Sequence, residues 1–196
     1  FDAAVYAKEK AEREALQRVM REVELSQIAA ADGVGLRLRV GPQFKAERLV
    51  VLTVEKSVQQ SPYLRLVICE TGQGTRLLVH RAIWPTNDLA SMARELAEVV
   101  SNVDKRFPNG VQRILGVGPF LSKNLLHHYD YLQHSYSTLL VESLLEYPGL
   151  AVLELDEYRA LGQELSLNGA NLKGRLVPLL IEGEFEVAEQ GVFVPP

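Results

Sequence analysis

The chain has 196 residues, which is enough for one large domain or two small ones with a substantial core. Its 47% apolar and 23% charged residues exclude a disordered or fibrous protein, and its net charge of −4 disfavours nucleic acid as a partner. The single cysteine, Cys69, excludes an internal disulfide framework and a cysteine-based zinc site, and no apolar run approaches the ~18 to 20 residues that would cross a bilayer.

The chain start is charged and helical in pattern. Apolar residues three and four apart predict an amphipathic helix through Leu25: Leu16, Val19, Met20 and Val23. This start does not have the pattern of a secretory signal, and whether a signal or a lipoprotein anchor precedes Phe1 stays open. After Asp32 and Gly33, every second residue is apolar in two segments, which predicts two strands: Leu36, Leu38 and Val40, then Val50, Leu52 and Val54.

A β-hairpin and a helix come next. The runs "YLRLVICE" and "TRLLVHRAIW" flank a short glycine-bearing turn, Thr71 to Gly74, and are typical of two paired strands. Pro85 ends the hairpin, and Thr86, Asn87 or Asp88 caps the following helix. An apolar stripe in that helix is expected to pack on the preceding sheet: Leu89, Met92, Ala93, Leu96, Val99, Val100 and Val103.

The turn "FPNG", Phe107 to Gly110, is the best candidate domain boundary. Beyond it the pattern predicts a strand "RILGVGPFLS", a helix from about Tyr129 to Tyr147, a short strand "LAVLEL", a helix capped by Asp156, and a strand "LVPLLIEGEFEV". The helix after Tyr129 has its apolar face at Leu132, Tyr136, Leu139, Leu140 and Leu144. Strands joined through helices in this order are typical of parallel crossover units.

One segment occurs nearly twice. "LQRVMREVELS", Leu16 to Ser26, resembles "RALGQELSLNG", Arg159 to Gly169, with Glu22 corresponding to Glu164. Two recurring glutamates first suggest catalysis. The repetition of the whole helix instead favours a shared structural role near a helix C-terminus.

The second part resembles a known domain. "RILGVGPF", "PGLAVLELDEYRALGQELSL" and "LLIEGEF" are similar to successive segments of the domain shared by the curli secretion component CsgG and the TolB N-terminal domain. Asp156 stands where the family often has Arg, and the last strand lacks the usual Asp. In the first part, "ALQRVMREVELS", the hairpin "LVICETGQGTRLLVH" and the helix from Asp88 to Val103 resemble the back half of the same domain.

The resemblance implies an α/β (α+β) fold with a mixed sheet packed by helices. Residues 1–107 would be the back half and residues 111–196 the front half, either as two half-domains or as one circularly permuted domain. It also implies a non-enzymatic role in envelope assembly, secretion or transport, through a protein partner or self-association. A periplasmic or envelope location follows from the resemblance, with the cytoplasm left open. We therefore expect no catalytic residue, cofactor or metal, and no nucleic acid partner.

Two other functions stay open. His127, Asp130 and His134 would lie on one helix face and could bind a divalent metal. The first of these functions is therefore a metal-dependent hydrolytic enzyme that uses this cluster. Against this, histidines are common at a solvated helix start, and Asp130 is a plausible cap. The other function is a plain oligomerisation module, because incomplete half-domain sheets would leave open edges that pair with further strands.

Weaker candidates favour structural roles. "GVGPF" lacks the third glycine of a dinucleotide loop and the Lys-Ser/Thr pair of a P-loop, which favours a buried strand with small residues under a helix. Cys69 and the serines form no triad, and Glu182, Glu184 and Glu186 read as the wet face of an edge strand. Four basic residues form a modest local basic patch that favours a solvated strand face over a nucleic-acid surface: Arg37, Arg39, Lys45 and Arg48. Tyr63 and Trp84 fit a binding surface and the core edges at the ends of the hairpin strands equally well.

Overall fold

A computed structural model describes residues 25–55, 62–84, 88–123, 129–167, 174–188 and 191–193. The described helices are α1 (Leu25–Ala29), α2 (Val34–Phe44), α3 (Leu89–Arg106), α4 (Asp130–Leu144) and α5 (Leu155–Leu167). The described strands are β1 (Arg48–Glu55), β2 (Tyr63–Glu70), β3 (Thr75–Ile83), β4 (Arg113–Ser122), β5 (Leu150–Leu153), β6 (Leu179–Ala188) and β7 (Gly191–Phe193). The predicted α/β class is confirmed. None of the helices in these ranges is both long enough and apolar enough to span a membrane.

The first part forms an antiparallel sheet in the order β1-β2-β3. The predicted hairpin is confirmed, with Tyr63 opposite Ile83 at one end and Glu70 opposite Thr75 at the turn. The pairing shifts once, after Ile68, whereas β1 and β2 pair without interruption. Apart from that shift, alternate residues of each strand face opposite sides of the sheet.

The second part forms a sheet in the order β5-β4-β6-β7. Strand β4 is central and parallel to both β5 and β6, while the short β7 runs antiparallel to β6. Helix α4 connects β4 to β5, and helix α5 connects β5 to β6. The crossover units predicted from the alternation of strands and helices are therefore confirmed.

One hydrophobic core receives residues from both sides of the predicted boundary turn. Phe107, which is fully buried, lies in this core together with Ile68 from the antiparallel sheet and Leu153 from the parallel sheet. The backbone also connects the two parts, since the Gly149 amide donates to the Arg106 carbonyl. The described residues of 1–107 and 111–196 thus share a core across the turn.

A second cluster covers the opposite face of the antiparallel sheet. Its buried members come from α1, α2, β1 and β2: Ile28, Ala29, Val40, Val51, Val67 and Cys69. Strand β2 is therefore enclosed on both faces, because Leu66 and Ile68 belong to the first core. A strand that is buried on both faces is expected to have apolar residues at consecutive positions, as in "LVIC".

Burial raises the pKa of the Cys69 thiol from its ordinary value of 9.0 to about 11. Between these two values the unfolded chain releases the thiol proton while the folded protein keeps it, so the free energy of unfolding falls as the pH rises. We expect the wild-type protein to lose about 1.4 kcal/mol more than Cys69→Ala between pH 8 and pH 10. Urea unfolding of both proteins at the two pH values measures this difference, and equal losses would contradict it.

The predicted strand at Leu36, Leu38 and Val40 is wrong, because these residues lie in helix α2. The alternation of apolar residues with arginines resembles a strand, but the buried residues Val34, Arg37, Val40 and Gly41 follow helical spacing. Gly41 packs so closely on Thr71 that a Cβ would collide with that side chain. The helix is thus fixed by its contacts with the sheet and the hairpin turn.

One of the two predicted helix N-caps is confirmed. The Asp88 carboxylate accepts a hydrogen bond from the Ser91 amide at 2.8 Å, so Asp88 caps α3 as expected. Asp156 is not a cap, since α5 begins at Leu155 and places Asp156 inside its first turn. There its charge still interacts favourably with the helix dipole.

The apolar stripes of α3 and α4 are only partly used. In α3, Leu96, Val99, Val100 and Val103 pack on the first core, whereas Leu89 is 60% exposed. In α4, the Tyr136 ring packs against Phe120 and Phe185, whereas Leu139 is 59% exposed. Assigning Leu89 and Leu139 to packed faces was therefore wrong.

Only the second copy of the repeated helix can be located. Leu16, Val19, Met20, Glu22 and Val23 lie outside the described residues. Glu164 lies in α5, and its carboxylate sits where a Cβ of Gly35 would be, in the first turn of α2. This contact between α5 and α2 is structural.

Candidate functional site

Arg37 is fully buried on helix α2. Its Nε donates to the Gly74 carbonyl at 2.7 Å, and its Nη1 donates to the carbonyls of Ile28 at 2.9 Å and Ala30 at 2.7 Å. The guanidinium therefore joins the end of α1 to the hairpin turn. Carbonyls at a helix C-terminus lack partners within the helix, and a cation there is favoured.

Glu157, on helix α5 and 2% exposed, balances this charge. Its Oε1 accepts from Arg37 Nη2 at 2.8 Å and from the Arg76 amide at 2.7 Å, and its Oε2 accepts from Arg76 Nε at 2.8 Å. The exposed Glu154 binds Arg76 Nη2 at 3.1 Å. Arg37, Glu157 and Arg76 are called the buried ion network below.

Burial disfavours the charged form of all three groups in this network, and the opposite charges beside them oppose that effect. Burial raises the pKa of the Glu157 carboxyl above its usual value, against the opposing effect of both guanidinium groups. Burial lowers the pKa of Arg37 against the attraction of Glu157. For Arg76, burial also disfavours the charge, but Glu157 and Glu154 outweigh it and raise the pKa. Both guanidinium groups bind the Glu157 carboxylate, so the buried charges of the network are paired with one another inside the protein.

The predicted basic patch does not exist as one surface. Arg37 was assigned to a solvated strand face and is instead buried in a helix. Arg39 is exposed, and Lys45 is exposed at the left-handed end of α2 with a φ of 51°. Arg48, in β1, pairs with Asp104 and the Phe107 carbonyl. The sequence therefore did not indicate that Arg37 would be buried.

A groove of about 530 Å³ is lined in part by Arg76 and Glu157 of the network. Its walls are mainly apolar side chains of α4, β3 and β5, and its other polar lining residues include His134, Ser137 and Glu142. The Ser137 hydroxyl donates to the Gly118 carbonyl at 2.9 Å and the Gln133 carbonyl at 3.0 Å, so it is committed to the main chain. No base contacts this hydroxyl among its described bonds, so the arrangement lacks the nucleophile–base pair of a hydrolase.

The histidine cluster is only partly described. His127 and His128 lie outside the described residues, while Asp130 and His134 are exposed on α4. Asp130 accepts from Gln133 Nε2 at 3.2 Å. Within the described ranges, no three His, Cys, Asp or Glu side chains come together as a metal site would require.

Gly116 and Gly118 lie inside strand β4 and do not open a loop. A Cβ at Gly116 would lie 2.5 Å from the Tyr158 ring, so this glycine allows α5 to approach the sheet. The reading of "GVGPF" as a strand with small residues under a helix is confirmed.

The carboxylate row on β6 is exposed as predicted. Glu182, Glu184 and Glu186 all face solvent, and Glu184 pairs with Lys123 at 3.0 Å. In the sheet order β6 lies between β4 and β7, but β4 pairs with it between Leu179 and Phe185 and β7 pairs only with residues 186–188. No described residue of β6 is therefore paired on both sides, and the row is a solvent-exposed face of this strand.

Tyr63 lies in a polar cluster at one end of the antiparallel sheet. Its hydroxyl binds Glu55, and the Arg81 guanidinium stacks over its ring at 5.5 Å. Arg65 also pairs with Glu55, at 3.5 Å. Trp84 is half-buried, and its amide donates to the Pro62 carbonyl at 2.9 Å. These partners confirm that Tyr63 closes a strand end.

Strand β1 presents an exposed apolar surface that the sequence did not predict. It is the edge of its sheet, eight residues long, and no described strand pairs with its outer side. Val50, Leu52 and Val54, which share one face, are 48%, 48% and 47% exposed. These three side chains are called the apolar row below. The alternation that predicted the strand was correct, but which of its residues would be exposed could not be read from it.

The neighbouring strand is buried on the same face. Leu66 and Ile68 of β2 belong to the first core, against which Leu96 and Val99 of α3 pack. Val51 points the other way and is 5% exposed beneath α1 and α2. Within the described part of the chain, the sheet is thus covered on one face along β1 and open on the other.

No protein-family model, curated protein or solved structure matches this chain.

Proposed function

We propose that this chain is a non-enzymatic protein of the cell envelope that acts through protein contacts made by strand β1. The apolar row is the observation that carries the proposal. Three half-exposed apolar side chains on an edge strand form a surface that associates readily, since both the side chains and the outer backbone of an edge strand can bind partners.

The strand also lacks the features that usually block such association. Native edges are blunted by bulges, prolines or inward-pointing lysines. Between Arg48 and Glu55 there is no proline or lysine, and the pairing with β2 is continuous. A partner strand can therefore add to this edge along its whole length, in the manner of β-augmentation.

The chemistry of the other surfaces supports a non-enzymatic role. The most strongly buried charges, Arg37 and Glu157, satisfy each other, and the hydroxyl at the groove, Ser137, bonds main-chain carbonyls. The envelope assignment rests on the resemblance of "PGLAVLELDEYRALGQELSL" and "LLIEGEF" to the CsgG and TolB N-terminal group. The role proposed by this resemblance is assembly, secretion or transport.

A charged substitution on the row tests the proposal. We expect tagged Leu52→Arg to lose proteins that wild type retains in the source cells, because an arginine would have to be desolvated at the contact. Leu139→Arg, an equally exposed position on α4, is the matched control and should retain them. Quantitative mass spectrometry of the retained proteins measures the outcome. Identical sets from wild type and Leu52→Arg would reject β1 as the contact surface.

A further inference from the structure

We propose that the groove between α4, β3 and β5 binds a small organic cation, in which an apolar group carries a single ammonium. Binding there does not involve strand β1 and is a second function beside the proposed protein contacts. The volume of the groove, about 530 Å³, lies within the range of about 300–1,000 Å³ that is usual for small-molecule sites. A molecule of modest size is therefore the occupant that the groove fits.

The walls of the groove offer apolar surface to such a molecule. His134 and Val141 of α4 and Leu145 at its C-terminal end are two turns and one turn apart, so one side of the helix forms a wall. Val79 of β3 and Val152 of β5 line the groove as well. Leu145 and Val79 are each 37% exposed, so an apolar group in the groove would remove their surface from water, which favours binding.

Two side chains of the buried ion network also line the groove. Arg76 is 7% exposed and Glu157 is 2% exposed, and Glu157 Oε2 accepts a hydrogen bond from Arg76 Nε at 2.8 Å. These groups are held in place by the protein and are not ordered by a ligand. A few fixed polar groups among apolar walls are what orients a ligand in a small-molecule site, at little entropic cost.

The charges at the groove favour a cation. The network and the carboxylates beside it comprise two guanidinium groups and three carboxylates: Arg37, Arg76, Glu142, Glu154 and Glu157. They therefore leave an excess of one negative charge. A ligand with a single positive charge neutralises this excess, whereas an anion would increase it.

Glu142 is the carboxylate that is available to the ligand. Glu154 already accepts from Arg76 Nη2 at 3.1 Å, and Glu157 accepts from both guanidinium groups. Glu142 is exposed, and within the described ranges its carboxylate has no ion-pair partner. An ammonium at Glu142 would place its apolar group beside Leu145, which follows less than one turn later on the same side of the helix.

Three molecules of the same shape test whether charge or apolar contact selects the ligand. The 2-phenylethylammonium ion, 2-phenylethanol and 3-phenylpropanoate share a phenyl ring and differ in charge. We expect the cation to bind with a dissociation constant of about 1 mM, as molecules of this size do. The alcohol should bind about 3-fold more weakly and the anion about 10-fold more weakly, because partly exposed charges contribute modestly.

Nuclear magnetic resonance titration of the ¹⁵N-labelled full chain measures these constants and locates the site. It is done at pH 8, at which an ordinary histidine is uncharged. We expect the amide signals of Val79, Val141 and Val152 to shift with the cation, because these residues line the groove.

Glu142→Gln keeps the shape of the side chain and removes its charge. It should weaken binding of the cation about 3-fold and leave binding of 2-phenylethanol unchanged, since only the cation pairs with the carboxylate. Glu146→Gln is the matched control, because Glu146 is also exposed, one turn further along the chain, and does not line the groove. It should bind all three molecules as the wild-type protein does.

Several outcomes would overturn the proposal. Absence of saturable binding of the cation up to about 20 mM would reject the site. Equal affinities for the three molecules, or unchanged affinity of Glu142→Gln for the cation, would reject recognition of charge in the groove. Signals that shift along the apolar row instead of at Val79 and Val141 would place the site on β1. The first two failures leave the proposed contacts of β1 in place, because the two surfaces share no residue.

Discussion

Replacing Glu157 by alanine is expected to lower the free energy of unfolding by about 3–5 kcal/mol. The substitution leaves the guanidinium groups of Arg37 and Arg76 buried and facing each other, with no carboxylate between them. Removing one partner of a buried ion pair lowers the free energy of unfolding this much because the remaining charge is neither paired nor hydrated. Urea unfolding followed by circular dichroism measures the loss.

Glu154→Ala is the matched control. Glu154 also binds Arg76, but its side chain is 74% exposed, so its removal should cost within about 1 kcal/mol. If Glu157→Ala unfolds too readily to measure, Glu157→Gln keeps the shape of the side chain and removes its charge. Equal stabilities of Glu157→Gln and Glu154→Ala would show that the network contributes nothing beyond a surface pair.

Phe107→Ala is expected to cost about 3–5 kcal/mol, as large-to-small changes of fully buried aromatic residues do. The ring is fully buried where α3 ends, in the core shared by both sheets. We also expect one cooperative transition, since the cavity destabilises both parts at once. Fluorescence of Trp84, the single tryptophan, reports on the first part, and far-ultraviolet circular dichroism reports on the whole chain.

Asn109→Ala controls for changes in the turn itself, because Asn109 is exposed. It should change the stability by less than about 0.5 kcal/mol. If the fluorescence and circular dichroism transitions of the Phe107→Ala protein separate, the two parts unfold independently and the turn is a true domain boundary.

Features set by neighbouring residues were predictable from the sequence. The hairpin follows from two apolar runs around a glycine-bearing turn, and the crossover order follows from alternating strand and helix patterns. The Asp88 cap follows from a carboxylate placed just before an apolar stripe. Each of these is signalled by patterns within short stretches of sequence, which is why periodicity and turn chemistry sufficed.

Features set by distant contacts were not predictable. Helix α2 was mistaken for a strand because "LRLRV" alternates, although Val34, Arg37 and Val40 already had helical spacing. The burial of Arg37 depends on Glu157, whose position 120 residues later carries no local signal. The exposure of the apolar row depends on which part of the sheet the first core covers, and a strand pattern alone does not specify that.

The separation between Arg37 and Glu157 also affects synthesis. The hairpin turn and the end of α1 have been made long before the carboxylate that neutralises Arg37 leaves the ribosome. At ~5–20 residues per second, the intervening 120 residues take roughly 6–24 s to translate. During that interval Arg37 has no carboxylate from α5 to pair with. A nascent chain of this protein is therefore most exposed to misassociation before α5 emerges.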